Sequence, residues 1–372
     1  MNLPRAGEVI NGGYNIPTHL IPDELIKMKQ IWIDFLRKQG ARGGCRDFGR
    51  PAEELASAQS ASIITPLENL GVIRVAGDDA TAFLNNLLTN DIKNLAKDSG
   101  QRNGLCSPKG RLLATFLIWR EGTDLMLALS ADLHSAILKN LSMYILRSKV
   151  RLTDACDERI LIGVSGTEGA KALGALGPMP AEMLKVADFG PGRMLRLDGQ
   201  RYLLAVDPAA AAGVWTTLAK TATPAGLDAW DWLEIQSGVP MVTAATQEEF
   251  VPQMVNFDLI GGVSFKKGCY PGQEIVARTH YLGKIKRRMY LAHVDGRLPA
   301  PGEHLYAPET GDQSCGRVVL SAHAPLGGND LLAVIQSSCA EAGEVHLESP
   351  SGSELTIRPL PYPLDKLETT ST

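Results

Sequence analysis

Gly71-Val72-Ile73-Arg74-Val75-Ala76-Gly77-Asp78-Asp79 is the stretch on which the fold turns. Its first five residues alternate like a strand. Gly77-Asp78-Asp79 then caps a helix whose apolar stripe is Phe83, Leu84, Leu87 and Leu88. A turn-rich passage follows and ends at Pro108-Lys109-Gly110. Residues 111–119 and 124–129 read as two strands joined around Glu121-Gly122, a hairpin signal. Leu133, Ile137, Leu138, Leu141 and Ile145 mark a second helix, and residues 150–153 a returning strand. The order is β-α-β-β-α-β.

Downstream the order partly repeats. Residues 159–164 read as a strand, 167–176 as a helix broken by Gly174, and 194–197 with 202–206 as a hairpin over Asp198-Gly199. Residues 208–220 form a further helix, with Asp207 placed to cap it and Pro208 suited to its first turn. The two halves share a pattern and no visible identity. The simplest account is an α+β protein with two copies of a ferredoxin-like unit packed into one larger domain. The alternative is that βαββα is a common succession and the duplication illusory. Residues 230–240 give a short helix stopped by Gly238 and Pro240. Beyond Arg288 short alternating runs at 289–294, 304–306, 316–321, 331–335, 345–347 and 355–357 predict a small β-barrel. Upstream, residues 1–21 show no periodicity and read as a flexible arm. Leu25, Met28, Trp32, Phe35 and Leu36 recur at helical spacing after Pro22-Asp23, and residues 41–60 read as a polar linker. The expected domains are thus 1–60 (arm, helix and linker), 61–288 (α+β) and 289–360 (barrel). A flexible tail over 361–372 completes them, with Pro361-Tyr362-Pro363 frayed.

At 44% hydrophobic and 21% charged residues, the 372-residue chain has the composition of a globular protein with a sizeable core. Its apolar runs are too short to span a bilayer, and no secretory or Arg-rich leader pattern opens it. Cys45, Cys106, Cys156, Cys269, Cys315 and Cys339 are far apart with no C-x-x-C, so the expectation is free thiols in a reducing cytoplasm and no metal site. The net charge of −4 argues against general nucleic-acid binding. Residues 266–288 differ, with seven Lys/Arg against one acid, Glu274. A solvated basic face is the commoner meaning of such a run. The sharper one is a site for a phosphate, a polycarboxylate or RNA.

That basic segment contains Phe265-Lys266-Lys267-Gly268-Cys269-Tyr270-Pro271-Gly272-Gln273-Glu274. A thiol works as a thiolate, and cations or backbone N–H groups favour that form, so Cys269 among lysines and glycines is a candidate nucleophile. Its other reading is a small buried hydrophobe. His280 is eleven residues on, too distant in sequence to indicate a Cys–His pair. Gln273 and Glu274 either fix the loop through backbone N–H groups or bind a ligand. Glu234, one turn before a Gly-Val-Pro stop, is a surface glutamate or one that points across a cleft at a heterocycle's N–H groups. Pro108-Lys109-Gly110-Arg111 is a tight turn, and Arg147-Ser148-Lys149 ends a helix where cations offset its dipole.

The run Lys267-Gly268-Cys269-Tyr270-Pro271-Gly272-Gln273-Glu274 resembles the signature of the YgfZ family, folate-binding relatives of the glycine-cleavage T-protein (aminomethyltransferase). Phe83-Leu84 to Thr89-Asn90-Asp91, Pro108-Lys109-Gly110-Arg111, Tyr144 to Lys149-Val150, Leu233-Glu234 to Gly238-Val239-Pro240, and Phe250-Val251-Pro252-Gln253 through Phe265 fit in order. The resemblance covers about residues 61–357, least distinctly over 165–225. It implies a ring of two folate-binding α+β domains and a β-barrel around a central cleft, with tetrahydrofolate as ligand. It implies Glu234 on the pterin, the motif residues Lys267, Gly268, Tyr270, Gly272, Gln273 and Glu274 at the cofactor, and Cys269 as the reactive group. The basic stretch 266–288 would then attract the glutamyl tail. It further implies a role in making or repairing iron–sulfur enzymes, among them a tRNA-modifying one, with those enzymes as partners. One departure separates this chain from the aminomethyltransferases: their acidic pair on the strand after the Lys-Gly turn is Ala114-Thr115 here. Neither residue titrates near neutral pH, and general acid–base help is worth roughly 10²–10⁴-fold in rate. Glycine-cleavage activity is therefore not expected. The alternatives are a one-carbon transferase or demethylase using another acid, and direct tRNA binding, for which the chain has no aromatic-plus-basic RNA module.

Overall fold

The computed structural model describes residues 23–281 and 285–364, with side chains in the first helix from Met28 onward. The expected arm over 1–21, residues 282–284 of the basic segment and the tail beyond 364 lie outside the described residues. The described residues form a mixed α/β fold with three sheets.

The first sheet has the order Gly100–Cys106, Leu112–Glu121, Asp124–Ser130, Leu70–Ala76, Arg151–Asp154, antiparallel throughout. Ile73, Val75, Ile118 and Leu127 are buried in the core, and so are their neighbours Val72, Trp119 and Met126, so the central strands are covered on both faces. Gly100–Cys106 lies in the passage that reads as turns. Its Gly, Asn and Arg residues give no apolar alternation, and it holds its place by pairing with one neighbour at the sheet edge. The helix Ala80–Asn85 ends before Leu87 and Leu88, which are buried beyond it. Asp79 does not cap it through its side chain; Asp79 Oδ2 accepts from Lys149 N at 2.8 Å instead.

The second sheet runs Thr223–Pro224, Ile63–Pro66, Ile160–Ser165, Arg201–Val206, Gly192–Arg196, Val186–Asp188. The helices Thr167–Leu176 and Pro208–Leu218 pack on it, and Asp207 Oδ1 accepts from Ala209 N as a capping residue should. The N-terminal helix Asp23–Lys38 completes this layer. Trp32 and Leu36 are fully buried, and Trp215 meets Trp32 edge-on at 5.7 Å and stacks on Phe48 at 5.6 Å.

Residues 41–60 are not a linker, which corrects that expectation. Pro51–Ser60 is a helix, and Arg42 pairs with Asp47 in a bridge. The organiser is Glu54, 3% exposed: its carboxylate accepts from Phe48 N (2.8 Å), Arg50 N (3.1 Å) and Gly226 N (2.9 Å). It thereby ties the segment to the start of the helix Leu227–Gln236.

The third sheet runs His346–Leu347, His304–Tyr306, Gly316–His323, Asn329–Gln336, Arg287–Val294, Thr356–Arg358. All six alternating runs of the sequence lie within or overlap these strands. The sheet curls back on itself: Leu355 N donates to Val345 O (2.7 Å) and Leu347 N to Ser353 O (2.9 Å). Ala292, Leu305, Val318, Leu331 and Ala333 fill the interior. Tyr362 is not frayed, a second correction: its hydroxyl donates to Gly238 O at 2.6 Å and anchors the chain end against the helix Leu227–Gln236.

Candidate functional site

The three sheets meet around a cavity of about 680 Å³, within the size range of small-molecule and cofactor sites. Phe116, Leu117 and Leu129 of the first sheet, Leu203 of the second and Leu320 of the third make apolar walls. The helix Leu227–Gln236 supplies Trp230, Asp231, Glu234 and Ile235. Residues three apart on a helix share a face, so Asp231 and Glu234 present both carboxylates to the same space.

Glu234 Oε1 lies 3.1 Å from Arg201 Nη1, and Arg201 Nε donates to Asp198 Oδ2 at 2.7 Å. The Arg201 guanidinium sits 5.5 Å from the Trp230 ring centroid. Burial opposes the charge of Arg201, but the Glu234 and Asp198 carboxylates offset it and hold its pKa above the ordinary value. Arg102 lines the same cavity; burial lowers its pKa, against the pull of Glu234. Burial also pushes the Asp231 carboxyl up to about 7; Arg46 opposes the rise and Asp228 and Glu234 add to it. Arg46 pairs with Asp228, and its Nη1 donates to Asp231 Oδ2 at 3.4 Å. Asn69 Nδ2 donates to Asp231 Oδ1 at 3.2 Å. Asn69 Oδ1 is buried without a hydrogen bond.

Of the residues singled out in the sequence, Glu234, Thr115, Val239 and Pro240 line the cavity. Ala114 is fully buried, and Thr115 Oγ1 accepts from Val242 N at 3.1 Å, so this strand position contributes a hydroxyl to the cavity wall. Arg46, Asn69, Arg102, Arg201 and Asp231 escaped sequence reasoning. The three-residue spacing of Asp231 and Glu234 was the one available signal.

The motif loop lies outside the cavity lining. Cys269 is exposed. Lys267 is 9% exposed, and its ammonium donates to Asn85 O (2.5 Å) and Leu88 O at the end of the helix Ala80–Asn85. Burial lowers its pKa to about 8, against the attraction of Asp91. It acts as a C-terminal cap, not as a loose cation beside Cys269. Tyr270 is buried with its ring 5.1 Å from that ammonium. Gly272 has φ +78°, and a Cβ there would collide with Ser107 O and Gly110 Cα, so the loop sits directly on the Ser107–Gly110 turn. Gln273 and Glu274 open the helix Gln273–Tyr281; Glu274 is exposed in its first turn, where a carboxylate suits the dipole. His280 stacks on Phe265 at 3.6 Å. The basic segment is also less open than its composition implies, because Arg288 is 7% exposed and forms a two-pronged pair with Asp258 (2.7 and 3.2 Å).

The family described as the GCVT N-terminal domain matches residues 47–267. The "tRNA-modifying protein YgfZ" of Enterobacter sp. (strain 638) is 31% identical over 320 residues, covering 85% of this chain and 98% of that protein. This chain belongs to the YgfZ family. The YgfZ protein of Escherichia coli K12 is 29% identical over the same shares. Among solved structures, aminomethyltransferase T of the glycine cleavage system from Bartonella henselae superposes with a TM-score of 0.69 at 17% identity, over 89% of this chain and 96% of that one. That likeness places the YgfZ-family chain in the aminomethyltransferase fold. Among the described residues no helix is long and apolar enough to cross a membrane.

Away from the cavity, His134, Asp154 and Cys156 bring their donor atoms within 4.8 Å of one another. The ring Nε2 of His134 is 3.1 Å from Val72 O and 3.7 Å from Cys156 Sγ, and burial pushes the Cys156 thiol up to about 12. His134 Nε2 also lies 3.5 Å from Asp154 Oδ1, and of the three only His134 is buried.

Proposed function

We propose that this protein binds tetrahydrofolate in the central cavity and serves as an accessory factor in making or repairing iron–sulfur proteins in the cytoplasm, supporting tRNA modification indirectly. The observation that carries the folate reading is Glu234: a carboxylate held beside two buried arginines, on an aromatic-bearing helix, facing an apolar cavity of about 680 Å³. A pterin is planar, with an edge of N–H donors beside acceptors, and a carboxylate recognises such an edge with paired hydrogen bonds. Asn69 Oδ1, buried without a hydrogen bond, is a further group a polar heterocycle would satisfy. Glu234, Arg201 and Asn69 would hold the ring, and Phe116, Leu129 and Leu203 would exclude water around it. Bound tetrahydrofolate supplies a reduced ring able to carry one-carbon units.

The domain division at 61–288 and 289–360 belongs to the same reading. The shared succession of central strands in the first two sheets supports a duplicated ferredoxin-like unit, and the barrel's contribution to the cavity wall supports a ring around a central cleft. Cys269 is assigned the reactive step with a sulfur species, a client thiol or a folate adduct. Its exposure on a buttressed turn supports contact with a macromolecular client. Motif residues Gly268, Tyr270, Gly272, Gln273 and Glu274, with Lys267, are assigned to shaping that turn. Thr115 disfavours the second reading, a one-carbon transferase, although Asp231 with its raised pKa is an acid in the same cavity. Calorimetry with tetrahydrofolate tests the proposal. Wild type should bind one equivalent, and Glu234→Ala should bind at least about tenfold more weakly, the loss of a charge-assisted hydrogen bond or two. Equal affinity would remove Glu234 from the site.

A further inference from the structure

The carboxylate of Asp330 is 1% exposed, in the barrel strand Asn329–Gln336, and four side chains converge on it. Trp232 Nε1 and Gln236 Nε2 each donate to Oδ2 at 2.9 Å. His293 Nδ1 lies 2.7 Å from Oδ1, and Arg358 Nη1 donates to Oδ1 at 3.0 Å. Two of these partners come from the barrel, and two from the helix Leu227–Gln236 that carries Glu234. Trp232 and Gln236 are four apart and share a face. Glu234 stands roughly 200° round the helix from Trp232 at 100° per residue, on the face that lines the cavity with Trp230 and Asp231.

The geometry points to Asp330 as a positioning residue: by gripping the back of this helix from the barrel, it fixes the rotation at which Glu234 enters the cavity. The inference deepens the folate reading and rests on it for its binding arm. The chemistry explains why a carboxylate is needed. Each oxygen accepts two donors, Arg358 among them, and bonds between a carboxylate and a cationic donor are stronger and more directional than neutral bonds. A helix held by apolar contact alone could rotate with little cost, because hydrophobic burial is non-directional. Asparagine has nearly the same volume but only one acceptor oxygen. In Asp330→Asn an amide NH₂ would face either the two helix donors or the two barrel donors, and one pair of bonds would be lost.

The test uses the full chain carrying Asp330→Asn, Trp232→Phe and Glu234→Gln, singly and with Asp330→Asn and Glu234→Gln combined. Trp232→Phe keeps the ring packing and removes one donor, and so stands in if Asp330→Asn does not fold. Tetrahydrofolate affinity should fall at least about tenfold in Asp330→Asn and severalfold in Trp232→Phe. In the Asp330→Asn background, Glu234→Gln should add less than about twofold, because a residue acting through another is non-additive with it. Additive losses, or affinity unchanged in Asp330→Asn while Glu234→Gln is weakened, would overturn the assignment and leave the folate reading standing. If wild type binds no tetrahydrofolate, that reading fails and amide hydrogen exchange decides the inference. Faster exchange confined to residues 227–236 in Asp330→Asn or Trp232→Phe supports the grip, and unchanged exchange there refutes it.

Discussion

Lys267 offers a sharp quantitative test, because a motif lysine that reads in the sequence as a cation for a ligand is instead buried against two carbonyls. Its pKa is lowered by burial from 10.5 to about 8 in the folded chain. Between about pH 8 and pH 10.5 the unfolded chain keeps a proton that the folded chain has released, so stability rises with pH across that window. A difference of about 2.5 pKa units corresponds to about 3 kcal/mol over the whole window, of which about 2 kcal/mol falls between pH 7 and pH 9.5. In Lys267→Met the position cannot titrate. At pH 7 two effects of the substitution oppose each other: Asn85 O and Leu88 O lose their donor, at about 1–3 kcal/mol for a buried unsatisfied group, while the burial of an ammonium is relieved. The pH dependence separates them. Urea unfolding of wild type and Lys267→Met at steps from pH 7 to pH 9.5 yields a difference curve in which all other groups cancel. Wild type should gain about 2 kcal/mol relative to the variant on going to pH 9.5. A flat difference, or one falling with pH, would refute the burial argument.

Further outcomes follow from single contacts. Glu54→Ala strips the acceptor from Phe48 N, Arg50 N and Gly226 N and should destabilise the fold by about 3 kcal/mol in urea unfolding; a loss under about 1 kcal/mol would show the segment 42–60 to be held by its apolar contacts instead. Gly272→Ala puts a Cβ against Ser107 O at a positive φ and should cost about 1–3 kcal/mol, with faster proteolysis at the motif loop. Cys269→Ala should leave the melting temperature and tetrahydrofolate affinity unchanged while abolishing support of iron–sulfur enzyme activity in cells; full complementation would remove the thiol from the mechanism. Since Lys267 and Arg288 are turned inward, tRNA should not bind with the steep salt dependence of a phosphate-tracking surface, as a filter-binding salt series would establish.

What could be read in the sequence was what local physics encodes. The barrel strands were visible as short apolar runs between Gly, Pro and Asp clusters, although Asn329–Gln336 is buried on both faces, and the helix Thr167–Leu176 has the expected bounds but runs unbroken through Gly174. The edge strand Gly100–Cys106 was not, since its residues follow no period and its register comes from Leu112–Glu121. The helix Pro51–Ser60 was hidden because its principal anchor, Glu54, is satisfied by Gly226, 172 residues away. The site divides in the same way. Glu234 was legible as a glutamate on a helix before a Gly-Val-Pro stop. The arginines around it come from three distant segments, and no spacing links Arg46, Arg102 and Arg201. Lys267 was misjudged for the same reason: its carbonyl partners lie 179 and 182 residues back, so a charge run in sequence became a helix cap in space.

The most direct test of the central claim is a structure of the chain with tetrahydrofolate bound, with the alkylation rate of Cys269 measured on the same preparation. The account predicts the pterin between the apolar walls with its N–H edge on Glu234, Asn69 Oδ1 now hydrogen-bonded, and Cys269 still exposed and reactive. Folate lying anywhere other than this cavity, or an empty cavity at saturating ligand, would contradict it.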